Sequence, residues 1–310
     1  MKKPAKFQTR RGFNALLAAG LPTILLSGFE ALGQQNTLVK TVPSTGEMLP
    51  VVGLGSWITF NVGRDRRGID DCVDVMRAFF AAGGQLIDSS PMYGSSQATI
   101  GHALKALGQP RNTFAADKIW TNGRTRGHEQ INDSRSLWGV PKFSLLQVHN
   151  LRDWQNHLPT LLEMKQSGQL KYVGITTSHQ RRHSEFESIM RTQSIDFVQL
   201  TYNAGQRAAE NRILPLAKER GIAVILNRPF GGGRLIRSVK QHPFPEWARN
   251  EGLLGWADFL LKAVISHPAV TCAIPATSRV EHLRENMQAC RGALLSARLR
   301  QRVFEHVETL

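Results

Sequence analysis

Four ionisable residues are of types that together could move a proton: Asp88, Tyr93, Lys118 and His149. A phenol holds its proton up to a pKa of about 10 and donates it poorly at neutral pH. A nearby ammonium favours the phenolate and lowers that pKa. Lys118 is placed to do this for Tyr93, with Asp88 as its counter-ion and His149 as a hydrogen-bond partner for a substrate oxygen. Such a set delivers a proton to an oxygen that is gaining negative charge, as the reduction of a carbonyl requires. Each residue alone has a plainer reading: Asp88 as a strand-end cap, Lys118 as a solvated lysine, His149 as a structural histidine. Among the three tyrosines, Tyr172 falls inside a strand and reads as packing, and Tyr202 ends a strand and competes as the acid. Tyr93 is preferred because it shares neighbouring strand ends with the lysine and the histidine.

Positioning those four requires strands that end where they stand. Short apolar runs at 51–54, 85–88, 113–119, 144–148, 170–175, 196–200, 222–226 and 270–274 read as eight strands. A hairpin precedes them, 38–42 and 48–49 about a Ser44-Thr45-Gly46 turn. Helical patterns fill the gaps near 69–82, 96–107, 125–138, 156–167, 180–192, 208–220, 253–266 and 279–290, with a last one at 296–307. Alternating strands and helices give an α/β fold, either a barrel or a doubly wound sheet. Eight repeats favour a (β/α)8 TIM barrel carrying an N-terminal β-hairpin, with chemistry at the C-terminal strand ends. Strand two then ends in Asp88, with Tyr93 in the following loop; strand three ends in Lys118, and strand four in His149 and Asn150. No linker composition divides 34–310, so one domain is expected.

The fragments Ile87-Asp88-Ser89-Ser90-Pro91-Met92-Tyr93-Gly94, Asp117-Lys118 and Leu145-Leu146-Gln147-Val148-His149 resemble the catalytic blocks of the aldo/keto reductases. The likeness runs over nearly all of 37–290, from Gly53-Leu54-Gly55 to Ile274-Pro275-Ala276-Thr277-Ser278-Arg279. It implies reduction of aldehydes or ketones to alcohols, with a nicotinamide dinucleotide as hydride source and Tyr93 as general acid. It also implies a cofactor lying across the later strand ends. Gly55, Ser56 and Trp57 would meet it after strand one, Thr176 and Thr177 after strand five, and Gln199 on strand six. The run Asn227-Arg228-Pro229-Phe230-Gly231-Gly232-Gly233 suits a loop whose backbone approaches a pyrophosphate. Ala276, Thr277, Arg279, His282, Glu285 and Asn286 fall in the adenosine-phosphate block. The family pattern is broken at Thr177, usually asparagine, and at Asn227, often a tyrosine that stacks on the nicotinamide. It is broken again at Ala276 and His282, often lysine and arginine. Arg279 is then the candidate for the 2′-phosphate, NADPH the first expectation and NADH the second.

Residues 1–33 read as a targeting segment. Lys2, Lys3 and Lys6 precede Arg10-Arg11-Gly12-Phe13, a weakly apolar stretch and small residues at Ala31 and Gly33. This resembles a twin-arginine (Tat) export signal, a route that carries folded proteins. The expectation is a periplasmic or otherwise exported protein that meets the Tat machinery and keeps no stable membrane anchor. The formal charge of +15 is scattered among acids without basic runs interleaved with aromatics, so no nucleic-acid partner is expected. Cys72, Cys272 and Cys290 have no metal spacing and read as separate thiols, although a Cys272–Cys290 bridge is conceivable. His179 and His183 have helical i, i+4 spacing but no third ligand, so no metal is expected. A monomer acting on a small carbonyl compound is the leading reading. Trp57 and Trp120 are candidate pocket walls, and the short C-terminus predicts an open pocket. Two alternatives stand beside it. One is a cofactor-binding redox-sensing or interaction module with little turnover, for which Thr177 and Asn227 leave room. The other, a barrel hydrolase, needs a second strand-end acid that the sequence does not offer.

Overall fold

Parallel strands buried on both faces need side chains that alternate between two apolar layers. A computed structural model describes residues 37–310 apart from His179, and it shows this arrangement. The reading of 1–33 as a signal, and His179, lie outside the described residues. The hairpin strands β1 (Val39–Thr41) and β2 (Met48–Pro50) pair antiparallel. Eight strands follow: β3 (Leu54–Gly55), β4 (Leu86–Asp88), β5 (Phe114–Ile119), β6 (Leu145–Val148), β7 (Tyr172–Thr176), β8 (Phe197–Thr201), β9 (Ala223–Asn227) and β10 (Cys272–Ala273). Each pairs parallel with the next in chain order. Parallel bridges Val52↔Ala273 and Gly55↔Ala276 join the last strand to the first and close the barrel. The seam needs glycine: a Cβ at Gly53 would stand 2.8 Å from the Leu86 carbonyl oxygen, and one at Gly55 would stand 2.7 Å from that of Ile274.

Two apolar layers result. Phe114, Tyr172 and Phe197 fill the barrel interior, with Tyr172 and Phe197 ring centroids 5.1 Å apart. Val42 and Leu49 from the hairpin belong to that inner cluster, so the hairpin plugs the N-terminal end. The alternate residues, such as Ala115, Leu146 and Val198, face a second layer under the helices.

Those helices are α1 (Arg66–Ala81), α2 (Ser96–Ala106), α3 (Arg124–Trp138), α4 (Trp154–Gln166), α5 (His183–Thr192), α6 (Ile213–Glu219), α7 (Arg234–Val239), α8 (Glu246–Asn250), α9 (Trp256–Ile265), α10 (Val280–Gln288) and α11 (Ala297–Glu308). The expected helix at 69–82 starts earlier because the Asp65 side chain accepts from Arg67 N and caps it. The expected helix at 208–220 splits into a 3-10 turn, Ala208–Glu210, and α6. Strand one, expected at 51–54, is shorter and shifted to Leu54–Gly55, while Val51 and Gly53 bond to Ala273 across the seam. The short helices α7 and α8 were not foreseen, since Gly231–Gly233, Pro243 and Pro245 read as loop. All three cysteines are buried and free, so the Cys272–Cys290 bridge is absent. Among the described residues, no cluster of His, Cys, Asp or Glu is arranged for a metal, and no helix is long and apolar enough to cross a membrane.

Candidate active site

Asp88 closes β4, Lys118 is the penultimate residue of β5, and His149 begins a 3-10 turn directly after β6. In β5 the inward face carries Phe114, Ala116 and Lys118, and the strand's period of two brings the lysine into the barrel mouth. Lys118 is buried and donates to Asp88 Oδ2 at 2.6 Å and to the Ser89 carbonyl oxygen at 2.7 Å. The Lys118 ammonium lies 5.2 Å from the centre of the Tyr93 ring. The Tyr93 and His149 rings meet edge to face at 5.7 Å. The four residues expected to converge therefore do so.

Their electrostatics depart from the simple expectation in one respect. Burial raises the Tyr93 phenol above its ordinary pKa; the Lys118 ammonium opposes that rise without overcoming it. The hydroxyl is thus protonated at rest, ready to donate. Burial alone would depress Lys118, but the Asp88 carboxylate and Tyr93 hold it charged and above its usual range. Burial likewise pushes Asp88 up, against the pull of Lys118. Burial, with Lys118 adding to it, lowers His149 to about 3, so its ring is neutral at physiological pH.

Ser90, which sequence reasoning passed over, fixes the His149 ring. Its Oγ lies 2.7 Å from Nδ1 and already accepts from Met92 N at 3.2 Å. The Ser90 proton is accordingly assigned to Nδ1, which leaves Nε2–H free to donate. A second missed residue is Asp117, on the outward face of β5. Gln97 Nε2 donates to it at 2.7 Å and the Lys118 backbone N–H at 2.7 Å.

A cavity of about 510 Å³ runs from Tyr93 and His149 to the start of α10. Its wall includes Gly55, Ser56, Trp57, Thr176, Gln199, Asn227, Arg228, Pro229, Phe230, Gly232, Ala276, Thr277, His282, Glu285 and Asn286. Three residues read from the sequence as cofactor or catalytic groups are not on that wall. Lys118 acts from beneath. Thr177 is buried in the sheet, its backbone N–H donating to the Gln199 carbonyl and its own carbonyl accepting from Asn227 Nδ2. Arg279 is exposed, its guanidinium 3.8 Å from Glu281. Trp120 is also off the wall; Arg152 covers its ring.

Several wall residues already have partners. Gln199 Nε2 donates to Asp88 Oδ1 at 2.9 Å, which bonds the strand-six amide to the catalytic carboxylate. Asn227 accepts from Thr201 Oγ1 at 2.6 Å, so both ends of its amide brace the ends of β7, β8 and β9. Arg228 lies over the Trp57 ring at 4.8 Å, a contact that joins the first and seventh strand-end loops. Gly231, Gly232 and Gly233 all take positive φ, at 60°, 68° and 86°. A Cβ at Gly232 would meet nothing within 4 Å. The turn therefore presents bare backbone to the cavity, and Arg237 and Lys240 follow it on the same wall. These two cations, and the apolar Ile58 and Met92 at the Tyr93 end, escaped sequence reasoning; a Lys/Arg pair after a glycine turn was the available signal.

One cavity thus joins the proton donors Tyr93 and His149 to the bare backbone of the glycine turn and the cations Arg237 and Lys240, a lining that suits an anionic ligand. A sequence model described as "Aldo/keto reductase family" matches residues 51–306. The chain is 23% identical to the NADH-specific methylglyoxal reductase of Escherichia coli, over 86% of this chain and 93% of that one. It is 26% identical to the L-galactose dehydrogenase of Arabidopsis thaliana, over 57% of this chain and 60% of that one. An aldo/keto reductase structure from Klebsiella pneumoniae in complex with NADP and acetate superposes with a TM-score of 0.74 at 21% identity, covering 88% of this chain and 95% of that one. With a closed parallel barrel, the four groups at its mouth and a family match over most of its length, the chain belongs to the aldo/keto reductase family.

Proposed function

We propose that this protein reduces aldehydes or ketones to alcohols with NAD(P)H, and that Tyr93 is the general acid. The observation that carries this is the Lys118 ammonium, locked between Asp88 and the Ser89 carbonyl and 5.2 Å from the centre of the Tyr93 ring, which lines the cavity. The dinucleotide, when bound, supplies the hydride. The chain's own residues do the rest. His149 Nε2–H and the Tyr93 hydroxyl converge on the carbonyl oxygen and polarise it. As that oxygen gains charge, Tyr93 gives up its proton, and the fixed Lys118 ammonium stabilises the phenolate left behind. A raised phenol pKa does not prevent this, because an alkoxide is a far stronger base than a phenolate. Trp57, Ile58 and Met92 give the Tyr93 end of the cavity an apolar rim for the carbon part of a substrate.

NADPH is the preferred cofactor in this reading, supported by Arg237 and Lys240 on the cavity wall. NADH remains a competent second, as the E. coli relative illustrates for itself. The N-terminal segment makes the protein a Tat substrate working outside the cytoplasm as a monomer. Its dinucleotide then travels with the folded chain or is regenerated there. Replacing both Arg10→Lys and Arg11→Lys should retain the protein in the cytoplasmic fraction; unchanged export would refute this assignment.

The deciding test is oxidation of NADPH and NADH across a panel of aldehydes, ketones and quinones. Tyr93→Phe should lower kcat by roughly 10²–10⁴-fold and leave dinucleotide affinity unchanged. No oxidation with any member of the panel, or full activity in Tyr93→Phe, would overturn the proposal.

A further inference from the structure

A second carboxylate lies directly behind the proton-transfer groups. Asp117 precedes Lys118 in β5 and so faces the opposite side of the sheet, under α2 and α3. It is fully buried. Its Oδ2 accepts from Gln97 Nε2 at 2.7 Å and its Oδ1 from the Lys118 backbone N–H at 2.7 Å. Gln97 Nε2 also donates to Ser134 Oγ at 2.8 Å, which fixes the amide with its NH₂ toward the carboxylate. Asp88 has an ammonium at 2.6 Å, whereas no ammonium or guanidinium among the described residues forms an ion pair with Asp117.

A buried carboxylate held by two neutral donors and no cation is poorly stabilised as an anion. Burial pushes Asp117 up to about 7, with Lys118, Gln97 and the Lys118 backbone pulling the other way. The charged and titratable groups that act on it are Lys118 and Asp88, and it acts in turn on Tyr93 and Lys118. The side chains that bond into the cluster from α2 and α3, Gln97 and Ser134, are neutral.

We propose that Asp117 is a positioning residue for proton transfer: its charge, set in the Gln97–Ser134 cluster and felt by Lys118 and Tyr93 through one strand, determines how readily Tyr93 releases its proton. The inference rests on Tyr93 being the acid. The sign follows from the charges. With Asp117 neutral, Lys118 is offset by Asp88 alone. With Asp117 ionised, a second negative charge opposes formation of the phenolate and weakens Tyr93 as a donor. Reduction is therefore faster with Asp117 protonated and slows as the pH rises through the titration of this group.

The test compares wild type with Asp117→Asn and Gln97→Met, each as the dinucleotide-bound enzyme, by kcat and KM against pH. In wild type kcat falls several-fold as pH rises through neutrality. Asp117→Asn lacks that step with KM unchanged. Gln97→Met, which keeps the carboxylate but removes one donor that favours its charged form, moves the step to higher pH. A second readout needs no turnover: the ultraviolet phenolate absorbance of Tyr93, taken as a difference against Tyr93→Phe, should titrate at lower pH in Asp117→Asn. Should Asp117→Asn fail to fold, Gln97→Met carries both readouts. An unchanged phenol titration, or a wild-type pH step that persists in Asp117→Asn, overturns the proposal. A shifted phenol titration with no turnover of any carbonyl compound would instead leave the coupling standing and remove the reductase reading.

Discussion

Lys118→Met isolates the cost of the charge that the site is built around. The lysine side chain is 0% exposed and that of Asp88 3%, with 2.6 Å between the charged atoms. Methionine keeps most of the side-chain volume, so the dominant loss is electrostatic. Asp88 is left as a buried anion with Gln199 as donor and no cation. Breaking a buried pair from one side costs about 3–5 kcal/mol, whereas neutralising both partners is often close to neutral. Lys118→Met should therefore lower unfolding stability by about 3–5 kcal/mol, and the double variant with Asp88→Asn should recover all but about 1–2 kcal/mol of that loss. The pH dependence has a definite sign. Burial already raises Asp88 in the folded state, and losing the ammonium raises it further. The folded chain then holds that proton more tightly than the unfolded one, so the penalty is largest above the folded pKa and shrinks as the pH falls. Urea unfolding at about pH 5 and about pH 8 measures both effects. A single variant no less stable than the double, or a penalty equal at the two pH values, would refute the reasoning.

Two further outcomes are expected. Asp117 is fully buried and titrates at about 7 in place of the ordinary 3.8, so the folded state binds its proton more tightly than the unfolded state. Stability contributed at low pH is lost as pH rises between those two values, by up to about 4 kcal/mol; above neutrality Asp117→Asn should unfold at higher urea than wild type, and an equal or lower midpoint there would contradict the assignment. Lys240 lies 3.4 Å from Glu285 on the cavity wall. Lys240→Ala should weaken NADPH binding about tenfold, the worth of one charge-assisted contact, and leave NADH nearly unaffected by fluorescence titration; equal losses for both would remove Lys240 from the 2′-phosphate.

Much of the site was legible because its residues mark strand ends. Asp88, Lys118 and His149 each follow an apolar run, and such runs are local in sequence. The ends of β7, β8 and β9 extend to Thr176, Thr201 and Asn227, each one residue past expectation, because ladder bonds continue into polar residues that hydropathy treats as loop. Ser90 was passed over because a serine after a strand end is unremarkable until a histidine just past β6 meets it 59 positions later. Arg237 and Lys240 were not considered, and Arg279 was the expected 2′-phosphate contact because it sits at the start of a recognisable helix. Its rotation away from the cavity, toward Glu281, depends on how α10 docks.

The order of elements and the two-residue period of the strands are properties of neighbouring residues, and the sequence by itself determined them. It also placed the four proton-transfer groups on consecutive strand ends. Only the tertiary structure decided the electrostatics. Whether Lys118 lowers the Tyr93 pKa below its ordinary value depends on a balance between one ammonium and the burial of the phenol, and burial prevails. That Asp117 stands behind Lys118 without a cation of its own depends on which side chains α2 and α3 bring to it. Desolvation is a sum over everything that surrounds a group, and most of those neighbours are distant along the chain.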